Sequence, residues 1–337
     1  MQLHNSVTTI LVTGGAGYVG SILLKRLLDL GYHVTCIDNL EVGGESLLSI
    51  WHHHNFKFYK CDINNLYNLI PVMKKEKYFA LVHLAAIVGD PACQKNPELA
   101  ILTNWTSSKN LLELSQEVGV ERFIFASTCS NYGKMAFTEG YVDENSPLAP
   151  VSLYAELKVR FEQLLLDKSR QSAEFCPTSL RFATVYGISP RMRFDLTVNE
   201  FTKELCLGNE LIVYGEHFWR PYCHVTDFSN AIISVLQADK DKVAYNVFNV
   251  GDTKENYTKR MLLDELLKHF PDAKIKRIEA KEDPRDYRVS FEKIKNQLGF
   301  QISVAVPQGI EEIKKVLQWG VIKNPDEQRY YNIPHQS

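Results

Sequence analysis

The sequence predicts an α/β fold: a doubly wound parallel sheet with a smaller mixed α/β lobe. Three observations predict it. Through the first half of the 337-residue chain, short runs dense in Val, Ile, Leu, Phe or Tyr alternate with longer amphipathic segments. A glycine-rich turn directly follows the first of these runs. The chain is also longer than one usual domain, so a second lobe can form.

The first half supplies the elements of the main sheet. Its β-rich runs are short enough to be strands and occupy residues 9–13, 33–38, 56–60, 79–84, 122–127 and 178–183. Helical patterns lie between them at residues 18–30, 64–75, 97–118 and 152–170. Repeated strand-helix-strand units with right-handed crossovers predict a Rossmann sheet that is covered on both faces.

Past Gly187 the alternation gives way to loops rich in Pro, Arg and aromatic residues. The later elements are expected at residues 226–237 (helix), 245–250 (strand), 259–269 (helix) and 307–319 (helix). Because a strand resumes after the loops, we expect the second lobe to be discontinuous.

The domain boundaries follow from this order of predicted strands and helices. Residues 1–187 and 222–250 are assigned to the larger, nucleotide-binding Rossmann domain. Residues 188–221 and 251–337 are assigned to the second lobe.

Composition excludes several classes of protein. The chain is 45% hydrophobic and 23% charged, which is typical of a globular protein and not of a disordered or coiled-coil chain. Its 38 basic and 40 acidic residues leave a net charge of -2, so the positive field that nucleic acid requires is missing. There is no run of 18 apolar residues, and the first residues lack the regions of a signal peptide. We expect a cytoplasmic protein without nucleic-acid or membrane partners.

Cysteine and histidine give no metal site. Seven cysteines lie without any C-x-x-C pair, so most are expected to be buried as small hydrophobic residues. The run 52–54 is three histidines, which suggests either a metal ligand set or a solvated loop. Since no fitting Cys or His follows this run, we favour the loop and expect no metal.

The turn after the first strand is a dinucleotide-binding motif. Residues 13–20 read Thr-Gly-Gly-Ala-Gly-Tyr-Val-Gly and lead into a helix, whose N-terminus favours a pyrophosphate. Asp38 ends the second strand at the spacing typical of a carboxylate that binds the adenosine ribose hydroxyls. Asn39 and not Arg follows Asp38, so NAD is favoured over NADP. The predicted cofactor contacts from this part of the chain are Gly14, Gly17, Tyr18, Val19, Asp38 and Asn39.

Tyr154 and Lys158 form a Y-x-x-x-K pattern within a predicted helix. The four-residue spacing places both side chains on one face. A neighbouring ammonium and an oxidised nicotinamide each favour a phenolate, so we expect a lowered phenol pKa and a usable base. Alone the pattern also fits a surface Tyr and Lys, but here it follows a dinucleotide motif and a strand that ends in Ser127, Thr128 and Cys129.

With these motifs, nearly the whole chain resembles the extended short-chain dehydrogenase/reductase family, in particular its nucleotide-sugar epimerases and dehydratases. The segments 60–63 (Lys-Cys-Asp-Ile), 82–86 (Val-His-Leu-Ala-Ala) and 180–187 are similar to the family's adenine, cofactor-lining and lobe-entry segments. The resemblance implies that Thr128 hydrogen-bonds the reacting sugar hydroxyl, that Tyr154 is the acid/base and that Lys158 holds the cofactor ribose. It implies further cofactor contacts at Asp62, Ile63, Leu84, Ala85, Ala86 and Asn104. Asn104 also falls where the family has a helical Asn that supports the active site.

The second lobe carries the predicted substrate contacts. The segments 218–225 (Phe-Trp-Arg-Pro-Tyr-Cys-His-Val) and 283–287 (Asp-Pro-Arg-Asp-Tyr) each offer an Arg, whose planar fork suits phosphate oxygens. The resemblance places Arg220 and Arg285 at the sugar-nucleotide diphosphate, and Asn199 and Tyr214 at phosphate and base. Tyr214 fits a stacking or a core role equally.

The resemblance implies oxidation at C4 of a nucleotide-diphosphate sugar, followed by one of several fates. Dehydratases of the family need an acid and a base directly after the Thr, whereas Cys129 and Ser130 stand here, so 4,6-dehydration is disfavoured. A 4-epimerase or a net 4-dehydrogenase remains, in a branch similar to enzymes of bacterial surface-polysaccharide sugars or heptoses. Thr184 replaces the Asn of many 4-epimerases. A non-enzymatic NAD-sensing scaffold is a further alternative, although such proteins typically lose the Tyr or Lys.

The resemblance also implies self-association. The family pairs the helices predicted over residues 97–118 and 152–170 across a two-fold axis. We expect a homodimer or a dimer of dimers.

Overall fold

A computed structural model describes residues 8–135, 140–280, 283 and 285–333. The strands are β1 (Thr9–Thr13), β2 (His33–Asp38), β3 (Phe56–Lys60), β4 (Ala80–His83), β5 (Arg122–Thr128), β6 (Cys176–Phe182), β7 (Thr184–Tyr186), β8 (Leu211–Tyr214), β9 (Trp219–His224), β10 (Asn246–Val250), β11 (Asn256–Thr258) and β12 (Ile275–Ile278). The helices are α1 (Tyr18–Asp29), α2 (Leu66–Lys75), α3 (Asp90–Lys95), α4 (Pro97–Ile101), α5 (Ser108–Glu117), α6 (Leu153–Leu165), α7 (Thr197–Cys206), α8 (Val225–Gln237), α9 (Lys240–Val243), α10 (Lys259–His269), α11 (Glu292–Leu298) and α12 (Val306–Gln318).

The main sheet is the predicted doubly wound Rossmann sheet. Its seven strands run in the order β10-β6-β5-β4-β1-β2-β3, and every neighbouring pair is parallel. Ile10, Leu11 and Val12 of β1 are fully buried because helices cover both faces of the sheet. The chain runs from β1 to β2 and β3 on one side and then crosses to β4 on the other side of β1. This reversal of strand order is expected to open a crevice at the carboxyl ends of β1 and β4.

The second lobe contains two small sheets, so it is the predicted smaller mixed lobe. One has the order β11-β9-β7, with β9 antiparallel to β11 and parallel to β7. The other pairs β8 with β12 in parallel. Since β7 begins at Thr184 and β9 ends at His224, strands of the small sheet extend a few residues into the ranges that the sequence assigned to the larger domain.

Two helices differ from the sequence prediction. The segment 97–118 is not one regular helix, because a π-helical stretch, Leu102–Ser107, separates α4 from α5. The helix predicted over residues 152–170 ends at Leu165, and a short 3-10 turn follows at residues 168–170. The sequence also missed α3, which has only six residues, and α7, which lies in the loop-rich region after Gly187.

Some predictions concern residues that the structure does not describe. The first seven residues, on which the absence of signal-peptide features rests, are among them, as are Pro284 of the second Arg segment and the last four residues. Among the described residues, no helix is long and apolar enough to cross a membrane. The same part of the chain holds no cluster of three metal-ligating side chains. Six cysteines are buried and Cys206 is partly exposed, as expected.

The glycine turn is fixed by a close approach to β4. Gly14 has a φ of +74°, and a Cβ at this position would lie 2.6 Å from the amide nitrogen of Ala85. Gly119 has a nearly identical φ of +75°, but a Cβ there would have no atom within 4 Å. Substitutions at Gly14 and Gly119 would therefore cause similar backbone strain, but only the one at Gly14 would also cause steric crowding.

We predict that Gly14→Ala destabilises the protein more than Gly119→Ala. Gly119→Ala should cost about 1 to 2 kcal/mol for the left-handed conformation. Gly14→Ala should cost about 1 to 3 kcal/mol more because strand and turn must move apart. Urea unfolding of the cofactor-free variants measures both; equal losses would show that the approach to Ala85 is not tight.

Candidate active site

The turn between β1 and α1 is suited to an anion. Helix α1 begins after Gly17 without a side-chain cap and has no acidic residue in its fully described first turn. Its first amides are therefore available to an external acceptor. Gly20 keeps helix and turn close, since a Cβ there would lie 2.3 Å from the carbonyl oxygen of Gly14. Gly14, Gly17 and Val19 are partly exposed along this crevice, as the cofactor prediction requires.

Asp38 lies at the carboxyl end of β2 and is oriented by the backbone. Its Oδ2 accepts a hydrogen bond from the amide of Ala16 (3.0 Å), and its Oδ1 accepts one from Leu40 (2.8 Å). Burial raises the pKa of this carboxyl group. Leu40 has a φ of +62°, a conformation unusual for a residue other than glycine. A carboxylate held this firmly at the crevice edge fits the predicted ribose contact, and exposed Asn39 follows it.

The other predicted cofactor residues lie along the same edge of the sheet. Asp62 is partly exposed, and its Oδ1 accepts a hydrogen bond from Asn64 (2.9 Å), while Ile63 is buried. Leu84, Ala85 and Ala86 follow β4 and are partly exposed. Their contact with the cofactor stays a prediction.

Asn104 is a positioning residue in this structure. It lies in the π-helical stretch, where its Oδ1 accepts a hydrogen bond from the amide of Ile87 and its Nδ2 donates one to the Ile87 carbonyl, both at 2.9 Å. Burial at 2% exposure keeps these bonds away from water. The irregular helix thus fixes the loop that leaves β4, which differs from a direct cofactor contact.

Tyr18 and Asn199 bind each other instead of facing the crevice. The Tyr18 hydroxyl donates a hydrogen bond to the carbonyl of Gly187 (2.5 Å) and accepts one from Asn199 Nδ2 (3.1 Å). Asn199 is fully buried and also bonds the Arg193 carbonyl (2.8 Å) and the Gly187 amide (2.9 Å). Their side chains therefore join α1 to the second lobe, whereas the sequence placed them on cofactor and substrate.

Arg191 is a buried cation that the sequence analysis missed. It is 7% exposed, and none of its three guanidinium nitrogens has a hydrogen-bond partner in the described part of the chain. Burial, and then the neighbouring Arg193, lower its pKa to about 10. Tyr18, the first residue of α1, is close enough to act on this charge. A guanidinium lacking a partner near the first turn of α1 fits an anionic group at that helix end.

Lys158 and Tyr154 are brought to the end of β5. The Lys158 amino group donates a hydrogen bond to the carbonyl of Ala126 (2.7 Å), two residues before Thr128. The same nitrogen lies 4.6 Å from the Phe125 ring centre and 5.8 Å from that of Tyr154. The three predicted catalytic residues thus come from one helix and the strand packed against it.

The protein alone does not lower the pKa of the Tyr154 phenol. Burial raises this pKa, and Cys93 and Asp90 raise it further, while Arg193 opposes them. Burial lowers the pKa of Lys158 from its usual 10.5 to about 7. The lowered phenol pKa that was predicted with an ammonium and an oxidised nicotinamide is therefore absent from the protein alone, where burial is the largest influence.

Asp90 is a carboxylate near the phenol that the sequence analysis did not single out. Its Oδ1 accepts a hydrogen bond from Ser152 Oγ (2.6 Å), and its Oδ2 accepts one from Arg285 Nη1 (2.9 Å). Ser152 caps α6 through the amide of Ala155 (3.3 Å). Asp90 therefore connects the start of the catalytic helix to the second lobe.

The predicted diphosphate-binding arginines converge with a third cation. Arg220 pairs with Asp283 (2.7 Å) and also donates to the carbonyl of Arg285. Lys259, which the sequence analysis missed, donates a hydrogen bond to the Tyr214 carbonyl (2.7 Å). It is close enough to Asp283, Arg220 and Arg285 for their charges to act on its pKa. Tyr214 is 55% exposed, which excludes the core alternative and leaves its ring available for stacking.

The residues after Thr128 are not free groups in the crevice. Cys129 is 1% exposed, and its thiol donates to the carbonyl of Arg181 (3.2 Å). The Ser130 hydroxyl lies 3.5 Å from that of Tyr287. Cys93 is fully buried, although it acts on the Tyr154 phenol.

Known proteins resemble this chain along most of its length. A family model described as the NAD dependent epimerase/dehydratase family matches residues 10–251. A UDP-glucuronate 4-epimerase from Thermodesulfobacterium geofontis is 28% identical over 321 residues, which cover 92% of this chain and 95% of that protein.

Two solved structures have the same fold over nearly the whole chain. The UDP-glucose 4-epimerase of Thermotoga maritima with UDP-glucose has a TM-score of 0.81 at 26% identity, and covers 93% of this chain and 100% of its own. The UDP-glucuronic acid 4-epimerase of Bacillus cereus, in complex with UDP-glucuronic acid and NAD, has a TM-score of 0.81 at 26% identity, and covers 92% and 100%.

We predict that Lys158→Met changes how stability depends on pH. The Lys158 pKa is about 7 in the fold and 10.5 in the unfolded chain, so the unfolded chain binds more protons between these values. The wild-type free energy of unfolding should rise across this window by up to about 1.4 kcal/mol per pH unit relative to the variant. Urea unfolding of cofactor-free protein at pH 7, 8 and 9 measures the difference.

The control is Lys25→Met, which removes an exposed lysine on α1. Its stability should follow the wild-type pH dependence. Parallel curves for wild type and Lys158→Met would contradict the inferred charge loss at Lys158.

Proposed function

The chain belongs to the NAD dependent epimerase/dehydratase family, and we propose that it oxidises C4 of a nucleotide-diphosphate sugar as a 4-epimerase or a net 4-dehydrogenase. Its cofactor is NAD. The observation that carries the proposal is the convergence of Tyr154 and Lys158 on the carboxyl end of β5, where Thr128 lies. The 4-epimerases among its relatives support it. The similarity of its motifs to a surface-polysaccharide branch suggests that pathway.

The chain's own residues divide the proton chemistry. Tyr154 removes the proton from the C4 hydroxyl, and Thr128 holds that hydroxyl by a hydrogen bond. Lys158 would hold the NAD ribose and, in its protonated form, would stabilise the phenolate. A bound NAD would supply the hydride acceptor for oxidation at C4 and, in epimerisation, the hydride donor for the reverse step.

The residues that would hold the cofactor are those of the crevice. The free amides of α1 and the buried Arg191 suit the pyrophosphate, and the Asp38 carboxylate suits the adenosine ribose. Asp38 would also repel a 2′-phosphate, which favours NAD over NADP. Arg220, Arg285 and Lys259 would bind the substrate diphosphate.

The 4,6-dehydratase alternative lacks its chemical groups. Elimination of water needs an acid and a base beside Thr128, whereas Cys129 is a buried thiol and Ser130 a hydroxyl next to Tyr287. The nearby carboxylate of Asp90 is paired with Arg285. A non-enzymatic scaffold would not need Tyr154 and Lys158 in contact, so the retained pair favours an enzyme.

We predict that Tyr154→Phe lowers turnover by about 10² to 10⁴-fold, the usual contribution of a general acid/base. NAD content should stay unchanged. The assay incubates purified protein with UDP-, GDP-, CDP- and dTDP-sugars and follows the products by NMR. An epimer without net NADH identifies an epimerase, and a stoichiometric ketosugar identifies a dehydrogenase.

The matched control is Tyr32→Phe, which lies at the opposite end of the main sheet, just before β2. It should retain wild-type turnover. Unchanged turnover in Tyr154→Phe, or no reaction with any nucleotide sugar, would refute the proposed function.

We also propose that two chains pair through α4, α5 and α6. Ile101 and Leu102 are each 41% exposed on this surface. Nearby, the Arg160 guanidinium stacks 3.7 Å from the Trp105 ring centre, which joins α6 to the π-helical stretch. Exposed apolar side chains on neighbouring helices suit a two-fold interface.

We predict that Leu102→Glu converts the dimer to monomer, because it places two charges at the symmetric interface. Val321→Glu, at an exposed apolar site elsewhere, should leave the dimer intact. Sedimentation at micromolar concentration distinguishes the species. A wild-type monomer under these conditions would contradict the pairing.

A further inference from the structure

We propose that Asp90 determines specificity, so that the site accepts sugars bearing hydroxyl or amino groups and rejects sugars bearing a carboxylate. This inference rests on the proposed function and deepens it. Both kinds of sugar occur among the relatives' ligands: UDP-glucose with one structural neighbour and UDP-glucuronic acid with another. The family match therefore does not decide between them.

Asp90 connects the start of α6, which carries Tyr154, to the second lobe. Its two oxygens bind Ser152, two residues before Tyr154, and Arg285, a predicted diphosphate contact. The carboxylate thus stands between the phenol that acts on C4 and a cation expected at the diphosphate. Gly89, with a φ of +93°, turns the chain just before it.

The charge of Asp90 acts on the Tyr154 hydroxyl. It is the strongest charge from a carboxylate on the Tyr154 hydroxyl, and it acts more strongly there than Arg193. Arg193 is itself paired in a bidentate contact with Asp195 (2.9 and 2.8 Å). A negative potential near the phenol favours donors such as hydroxyl and ammonium and opposes a second carboxylate.

Lys158, 5.8 Å from the Tyr154 ring centre, is the same in the wild type and in the Asp90 variants, so its charge does not affect their comparison. Arg285 neutralises Asp90 in the substrate-free protein, but a diphosphate would draw Arg285 toward its own oxygens. Asp90 would then keep Ser152 as its partner and face the sugar with its full charge. The guanidinium of Arg191 lies near the first turn of α1 and is not among the main charges that act on Tyr154.

The test compares the affinities of UDP-glucose and UDP-glucuronic acid for the NAD-loaded dimer by calorimetry. Wild type should bind UDP-glucose at least about 10-fold more tightly than UDP-glucuronic acid. Asp90→Asn keeps the shape and an acceptor for Ser152 but removes the charge, so it should reduce this ratio at least about 10-fold. Arg285, released from Asp90, should strengthen the binding of both ligands equally. The ratio of their affinities is therefore not affected by this release.

Two further variants separate charge from structure. Asp90→Ala also removes the charge and should change the ratio in the same direction. Asp29→Asn removes an exposed carboxylate on α1 and should leave the ratio at its wild-type value. A purely structural role for Asp90 would weaken both ligands without changing their ratio.

The outcomes are distinct. Equal binding of both ligands by wild type, or an unchanged ratio in both Asp90 variants, overturns the inference while the proposed function stands. Failure of every nucleotide sugar to bind or react overturns the proposed function and this inference with it.

Discussion

One buried hydrogen bond, from the Lys158 amino group to the Ala126 carbonyl, positions the whole candidate site. It joins α6 to β5 at 2.7 Å and is shielded by the Phe125 ring. Burial disfavours the charged amine, so the bond must offset part of that cost. Because Tyr154 lies one turn earlier on α6 and Thr128 two residues later on β5, fixing this bond fixes all three residues.

A second contact holds α6 against the neighbouring strand. Glu162, one turn after Lys158, accepts hydrogen bonds from Arg181 (2.6 Å) and from Ser179 (2.7 Å) of β6. A buried ion pair is weak evidence for stability, since desolvation opposes its attraction. This ion pair instead fixes the position of α6. The helix is bonded to β5 at one turn and to β6 at the next, so it can neither rotate nor slide without leaving charged groups unpaired.

The sequence predicted the parts of the fold that local patterns encode. The ranges of β1 and β2 were correct because each is a nearly continuous buried run between turns. The range of β3 was correct because it is a short run rich in Phe and Tyr, although its residues are only partly buried or exposed. The strands of the second lobe were missed because they are short and pair with distant segments, as β8 does with β12. Residue type also cannot show side-chain direction: Tyr18 belongs to the motif, yet its hydroxyl points to Gly187. Asp90, Arg191 and Lys259 join the site only through tertiary packing, and the one local signal was Asp90 directly following a glycine.

The predicted cation clamps are already paired with carboxylates in the substrate-free protein. Arg220 pairs with Asp283 and Arg285 with Asp90. Binding a diphosphate must therefore exchange one anion for another, and its net gain is smaller than a count of arginines suggests. The exchange also has a direction. A ligand that releases Arg285 from Asp90 leaves a carboxylate near the phenol, so the diphosphate end and the sugar end of the substrate are read by a shared pair of charges. If the chain acts on a nucleotide-diphosphate sugar as proposed, selectivity at the sugar depends on occupation of the diphosphate site, which couples recognition of the carrier to recognition of the group that reacts.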